Sequence, residues 1–338
     1  MRTNIKSTFL VYIILLTTIW CQQEFEKTGS SGAHFLNISP DARVSGMGNS
    51  VVGMPIHDVS AVFYNPGTLV HMQNKSVFSS NVQWFAGINY NAFAAGMKTK
   101  YGTLALHLRS LSSGDIEETT VTEQNGTGRS FVWNDLAVGG TWANALTDRF
   151  SFGMNIYRAS QSIDLYSYTA GAWAVDIGTY YVTGFRSLRL GMSVRNFGPE
   201  MDFMADGKDA TFDDYHNGEI LPEPESFRPY HMPLTFQVGV SYDFFTENKM
   251  HDLVVAIDGV HTSDSAERFN IGAQYALLKV LYLRGGFYTT HNSASFMGGF
   301  GVDLSKFVPS GTALRFDASM SNYGLLGFVK KVTISAGF

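Results

Sequence analysis

The sequence predicts an all-β protein: a transmembrane antiparallel β-barrel of about fourteen strands with a small N-terminal plug. Three observations indicate this fold. Many segments alternate apolar and polar residues, an export signal precedes them, and short and long connections alternate along the chain. A period of two is expected where lipid surrounds a barrel and its lumen is polar. The composition agrees, with 14% aromatic and only 16% charged residues and 34 glycines.

The N-terminus is typical of an exported protein. Arg2 and Lys6 precede an uncharged run over residues 9–20, and such a run is too short to span a membrane as a helix. We therefore divide the chain into a signal peptide (1–23), a plug segment (24–74) and a barrel (75–338). Cys21 leaves a lipoprotein as an alternative, although Trp20 occupies a position where a small residue is expected.

The C-terminal strand shows the alternation most clearly. Its apolar face is Val332, Ile334, Ala336 and Phe338, and polar or small residues occupy the positions between them. The terminal aromatic residue, Phe338, is the candidate membrane-targeting residue. The predicted strands are 76–84, 88–97, 103–109, 131–142, 151–156, 172–181, 187–195, 234–243, 252–261, 268–275, 280–290, 295–303, 313–320 and 331–338.

The connections give an independent check on this count. If the first strand runs outward, the odd connections are extracellular and should be longer than the periplasmic turns. They include 111–130, 161–171 and 198–232, whereas the even ones are short. The alternative is a soluble β-sandwich or propeller, whose strands also alternate, but which explains neither the export signal nor the unequal connections.

The segment before the first strand does not have a strand pattern. Pro40 could start a short helix, Gly46 and Gly48 allow close backbone contact, and Asn65-Pro66 marks a turn. A segment of this kind suits a plug inside the barrel. Two runs in this segment are Ala42-Arg43-x-x-Gly46-Met47-Gly48 and Asp58-x-x-Ala61-x-x-Tyr64-Asn65-Pro66-x-x-Leu69. Together they resemble the N-terminal signature of the PorV/PorQ family, which belongs to the wider FadL-like barrels.

A further run, from Leu188 to Gly198, is similar to the mid-barrel strand and turn of the same family. In the N-terminal signature there is one small departure, Gly67, where the family usually has alanine. The resemblance implies a fourteen-strand barrel with an N-terminal plug in the outer membrane. It also implies a non-enzymatic component or cargo shuttle of type IX secretion, with the translocon, secreted cargo and outer-membrane lipid as partners. The alternative is a FadL-like transporter of small hydrophobic molecules, with an apolar pocket near Phe35, Leu36, Met47 and Met54.

The plug motif is the first candidate site: Arg43, Gly46, Gly48, Asp58, Asn65 and Pro66. Its polar members could latch the plug to the barrel wall, because buried charges need partners. A structural network filling the lumen is the simpler interpretation, and a gated path is the other. The predicted luminal charges are Asp135, Asp176, Asp258, Asp317, Arg189, Arg195, Arg268, Arg284 and Arg315.

The connection 198–232 is the second candidate site. It is acidic, and its charges are interleaved with the aromatic residues Phe203, Phe212, Tyr215, Phe227 and Tyr230. Exposed aromatic side chains favour a protein-binding loop. A Ca²⁺ site is the alternative, but the acidic spacing does not fit an EF-hand.

Other chemistry finds little support in the sequence. The nine histidines show no metal-ligand spacing, and no nucleophile–base–orienter set can be identified. We therefore expect no catalytic site, metal or cofactor. The net charge of −5 argues against nucleic-acid binding.

Overall fold

The computed structural model describes residues 29–205, 226–245, 248, 250–289, 296–309 and 311–338, and the backbone of short paired segments between 208 and 225. The predicted signal peptide lies outside these residues. In the described part, fourteen antiparallel strands close into a barrel, as predicted. They are β1 Lys75–Gln83, β2 Asn89–Thr99, β3 Gly102–Glu117, β4 Ser130–Ala145, β5 Phe150–Ile163, β6 Tyr168–Val182, β7 Arg189–Phe197, β8 Thr235–Phe244, β9 His251–Thr262, β10 Ser265–Leu277, β11 Leu281–Tyr288, β12 Phe296–Asp303, β13 Ala313–Asn322 and β14 Phe328–Gly337.

The barrel closes between its first and last strands. In this antiparallel pair, Val77 lies opposite Ala336 and Asn81 opposite Val332. Phe338 extends the ladder, since its backbone N–H donates to the Lys75 carbonyl oxygen at 2.8 Å. Pairing of β14 with β1 satisfies two edges that would otherwise be open, which a membrane-spanning sheet requires.

The predicted faces are confirmed. On β3, Leu104, Leu106 and Leu108 are exposed on the outside of the barrel, while His107 and Arg109 are buried in the lumen. The terminal strand behaves in the same way, with Val332 and Ile334 outside. The wall is therefore apolar towards the surroundings and polar towards the lumen, as a lipid-embedded barrel requires.

The two ends of the barrel differ. We call the end that carries the odd connections the loop end and the opposite end the turn end. The two longest connections, 118–129 and 198–234, are at the loop end. The predicted long connection 161–171 shortens to 164–167 because β5 and β6 extend towards it, and the turn end carries one longer connection, 304–312. Within 198–234, a short additional strand, Phe203–Ala205, pairs with β6.

The segment before β1 fills the lumen. It contains one short α-helix, α1 (Ala42–Gly46), and the 3-10 helices His34–Asn37, Val59–Phe63 and Pro66–His71. Asp41 caps α1, Asp58 caps the 3-10 helix Val59–Phe63 and Asn65 caps the 3-10 helix Pro66–His71. Each capping side chain accepts a hydrogen bond from the backbone N–H two residues ahead. Most of the side chains from Ala42 to Leu69 are buried, so this plug packs as the core of the protein. Within the described residues, no helix combines the length and apolar character needed to cross a membrane.

Candidate functional site

An ion-pair cluster lies inside the plug. The buried Arg43 guanidinium bonds to Asp41 at 2.7 Å and to Asp58 at 2.9 Å, and it donates to the Ser60 hydroxyl at 2.8 Å. Both carboxylates also cap helices, so one arginine joins α1 to the 3-10 helix Val59–Phe63. The latch hypothesis is therefore wrong for Arg43 and Asp58, because their partners lie within the plug and not on the wall.

The cluster makes the plug sensitive to acid. Burial alone would raise the pKa of Asp58, but the adjacent Arg43 and the hydrogen bonds from Ser60 lower it from 3.8 to about 2. A carboxyl whose pKa is lower in the folded state contributes stability above its unfolded pKa, and this contribution disappears as the pH falls through the folded value. At about 1.4 kcal/mol per pH unit, the contribution is about 2 kcal/mol.

We therefore expect the unfolding midpoint of the plugged barrel in detergent to fall between pH 5 and pH 2. The fall should be smaller in Asp58→Asn, whose side chain does not titrate in this range. Thermal unfolding monitored by tryptophan fluorescence at both pH values measures the difference. Equal acid sensitivity in the two proteins would contradict this assignment.

Asn65 is the member of the plug motif whose side chain contacts the wall. Its amide donates to the Thr179 carbonyl oxygen of β6 at 2.9 Å and to the Val52 carbonyl oxygen within the plug at 2.8 Å. Its Oδ1 accepts from the Gly67 N–H at 3.0 Å. Asn65 thus fixes a plug turn and the wall together, and Pro66 follows as the first residue of the next 3-10 helix.

The wall supplies most of the side chains that hold the plug. Asp258 accepts hydrogen bonds from the backbone N–H groups of Val51 and Val52 at 2.8 and 3.0 Å. On β14, the Lys331 ammonium donates to the Ser39 carbonyl oxygen at 2.8 Å and to the Ser45 hydroxyl at 2.6 Å. Three wall serines, Ser80, Ser151 and Ser241, donate to plug carbonyl oxygens at 2.5–2.7 Å.

Glycines in the wall let the plug backbone approach this closely. A Cβ atom at Gly191 would lie 1.9 Å from the Val52 carbonyl oxygen, and one at Gly286 would lie 2.0 Å from the Gly48 nitrogen. Wall glycines similarly meet the plug backbone at Gly153, Gly178, Gly239, Gly272 and Gly299. The wall is therefore shaped to the plug along several strands, and Gly46 and Gly48 lie at such close contacts, as predicted.

A cavity of about 800 Å³ opens at the loop end, above the plug. We call it the mouth cavity. It lies between the chain segment 29–38, the β1–β2 connection, β3, β4 and the returning end of the connection 198–234. Its apolar lining includes Phe35, Trp84, Phe85, Leu111, Trp133 and Phe203.

Hydrogen bonds join the polar groups of this cavity. The Trp133 indole and the Gln161 amide both donate to Asp135 Oδ1 at 2.7 Å, and the Tyr230 hydroxyl donates to Gln161 Oε1 at 2.6 Å. These bonds fix the orientation of the tryptophan and tyrosine rings. A cavity with apolar walls and a few fixed polar groups is suited to bind an apolar ligand or inserted side chain.

The described aromatic side chains of the connection 198–232, Phe203, Phe227 and Tyr230, pack together at the mouth cavity. Phe203 is buried, and its ring centroid lies 5.6 Å from that of Phe227 and 5.9 Å from that of Tyr230. Trp133 on β4 contacts the same ring at 5.8 Å. The expectation of exposed aromatic side chains is therefore wrong for Phe203, and Phe227 and Tyr230 are only partly exposed. The side chains of Phe212 and Tyr215 lie outside the described residues.

The pocket expected for a hydrophobic substrate corresponds only in part to this cavity. Phe35 lines it, whereas Leu36, Met47 and Met54 are buried and do not line it. In the described part of the chain, no three His, Cys, Asp or Glu side chains form a group that could hold a metal ion.

A closed barrel with an apolar outer wall and a lumen filled by its own N-terminal segment defines an outer-membrane β-barrel protein. Residues 21–215 match the family model described as type IX secretion system protein PorV. The chain belongs to the PorV family.

Solved structures with a similar fold include two toluene transporters and a FadL homologue. The Ralstonia pickettii toluene transporter TbuX is 14% identical with a TM-score of 0.56, covering 89% of this chain and 98% of that one. The Pseudomonas putida toluene transporter TodX is 12% identical with a TM-score of 0.55, covering 87% and 96%. A Pseudomonas aeruginosa FadL homologue is 12% identical with a TM-score of 0.52, covering 88% and 98%. At these identities the likeness shows the fold. No curated protein matched the sequence.

Proposed function

We propose that this barrel acts in type IX protein secretion by holding a segment of a partner protein, the translocon or its cargo, in the mouth cavity at the cell surface. The single observation that carries the proposal is the position of that cavity. It is open at the loop end, and the plug packs against the wall beneath it. A ligand that enters from the loop end can therefore bind in the mouth cavity while the plug keeps the lumen below it closed.

The chemistry of the cavity suits a peptide segment with large apolar side chains. A space of about 800 Å³ has room for several side chains, and rigid aromatic walls supply contact area with little entropy to lose. The wall strands support this role. β3 and β4 each have 16 residues, longer than the 9–11 or so needed to cross a bilayer, so they extend beyond the lipid and frame the opening.

The second candidate function is transport of small hydrophobic molecules. The similar folds of the two toluene transporters favour it, and so does the apolar cavity lining. This function requires the plug to move, because its backbone contacts the wall at Gly191, Gly239 and Gly286 in the present structure. We rank it second for that reason.

The two functions are separated by changing a wall residue of the cavity while the plug sequence stays intact. Leu111→Arg places a charge in the apolar lining, and we expect surface display of secreted cargo in the native host to fall about tenfold, since desolvating a charge costs more than the 1.4 kcal/mol that a tenfold loss requires. Leu325→Arg is the matched control, because Leu325 is fully exposed at the loop end and does not line the cavity.

Cell-surface labelling of cargo measures display, and the heat-modifiable mobility of the barrel on gels confirms that each variant is folded. Normal display in Leu111→Arg would refute the secretion proposal. Uptake of radiolabelled toluene by the same strains tests the alternative. Loss of uptake with normal display would make the barrel a transporter.

A further inference from the structure

A second, smaller cavity lies between the plug and the wall, below the mouth cavity. Its volume is about 30 Å³. The plug contributes Asn49 and Phe63 to its lining, and the wall contributes Arg195 from β7 together with Arg268 and Asn270 from β10. We call it the arginine chamber.

Neither arginine has an acidic partner there. Among the described residues, no carboxylate oxygen lies within 4.0 Å of the Arg195 or Arg268 guanidinium. Arg195 donates to the Phe63 carbonyl oxygen at 3.2 Å, and Arg268 lies over the Tyr288 ring at 5.6 Å. The Nε atoms of both are buried without a hydrogen-bond partner. Two positive groups thus face one small space with unused donors.

Two neighbouring carboxylates bond to other groups, Asp258 through its Oδ2 atom and Asp176 through both oxygens. Asp258 accepts from the Val51 and Val52 N–H groups and from the Gln237 amide, all three of which belong to chamber residues. Asp176 accepts from the Asn196 backbone N–H at 2.7 Å and from the Asn155 amide at 2.9 Å. Neither carboxylate lies within 4.0 Å of the two guanidinium groups, and Asp176 attracts Arg195 only from a longer distance.

We propose that the arginine chamber binds one small inorganic anion, such as chloride, between Arg195 and Arg268. A water molecule occupies about 10–15 Å³ by the same measure, so 30 Å³ accommodates a halide ion or two waters. Water would satisfy the two buried Nε donors but would place no negative charge next to the two guanidinium groups. An anion satisfies the donors and also removes most of the electrostatic cost.

The anion links the plug to the wall. The chamber lies where plug residues 37–39, 49–52 and 63–64 face β7, β8 and β10, so an anion held there joins three wall strands to three plug segments. The stability of the plugged barrel should therefore depend on the identity of the anion in solution and not only on ionic strength.

The test uses the full chain purified in detergent. Thermal unfolding is measured while sodium chloride replaces sodium gluconate at constant ionic strength, because gluconate is too large for the chamber. We expect the midpoint to rise by about 2 °C or more and to saturate, as binding to the folded state predicts. Crystals grown in sodium bromide should show an anomalous peak between Arg195 and Arg268.

Arg195→Gln and Arg268→Gln should each abolish the chloride effect, whereas Arg158→Gln, at an exposed arginine on β5, should keep it. If Arg195→Gln does not fold, the Arg268→Gln protein and the bromide map still decide the question. A midpoint independent of anion identity, an equal chloride effect in all variants, or a chamber that contains water alone in bromide would each overturn the proposal.

Discussion

Gly286→Val is expected to displace the plug from the wall and open the lumen to ions. A Cβ atom at this position would lie 2.0 Å from the Gly48 nitrogen and 2.5 Å from its Cα, so the new side chain collides with backbone that has no rotamer to change. Gly48 has a φ of 63°, so the plug makes this contact through a backbone conformation that favours glycine. We expect a loss of about 3 kcal/mol in stability.

The neighbouring glycine provides a matched control. Gly285 lies on the same strand but faces outward, and a Cβ atom there meets nothing within 4 Å. Gly285→Val should be neutral or slightly stabilising, because valine favours strands. Single-channel conductance in planar bilayers and thermal unfolding in detergent measure both variants. If both variants stay closed and equally stable, the close contact between Gly286 and the plug does not hold the plug in place.

Arg43→Met is expected to destabilise the plug by about 3–5 kcal/mol. The substitution removes the shared ion-pair partner of the buried Asp41 and the largely buried Asp58. The pair between the exposed Arg129 and the buried Glu118 serves as the control, because Glu118 keeps hydrogen bonds from the Thr127 and Tyr166 hydroxyl groups when the arginine is removed. Because the Arg129 side chain is 61% exposed, Arg129→Met should cost less than about 1 kcal/mol.

A double variant tests the mechanism. Adding Asp58→Asn to Arg43→Met removes one of the two carboxylates that lose this partner, so part of the lost stability should return. Urea unfolding of the four proteins, wild type, Arg43→Met, Asp58→Asn and the double variant, measures the coupling between the two positions. Strictly additive effects would show that the ion pair is not the source of the stability.

The strand count was predictable because alternation is a local property of each segment. The prediction missed only those parts of strands that extend beyond the bilayer, where alternation is no longer required. The predicted strand 103–109 is the alternating part of β3, which continues to Glu117 with no regular burial pattern. Beyond the bilayer, neither lipid nor a packed lumen selects for one face, so the sequence there carries no period of two.

The plug illustrates the opposite case. Its motif residues were found, but the partners of Arg43 were not, since nothing in the spacing of Asp41, Arg43 and Asp58 says whether they face one another or the wall. The wall glycines did carry a sequence signal for where the plug backbone contacts the wall. Gly153, Gly191, Gly239 and Gly272 all fall on predicted inward faces, where a strand has a reason to lack a side chain only if other backbone comes close.

By itself, the sequence determined the barrel, its two faces and its family, because these follow from short-range periodicity and from a contiguous signature. The tertiary structure decided how the plug is held and where a cavity remains. Lys331 meets Ser39 across 292 residues, and Asp258 meets Val51 across 207. Such contacts depend on which strands become neighbours and in what register. The same long-range geometry places Phe203 and Tyr230 in the lining of the mouth cavity.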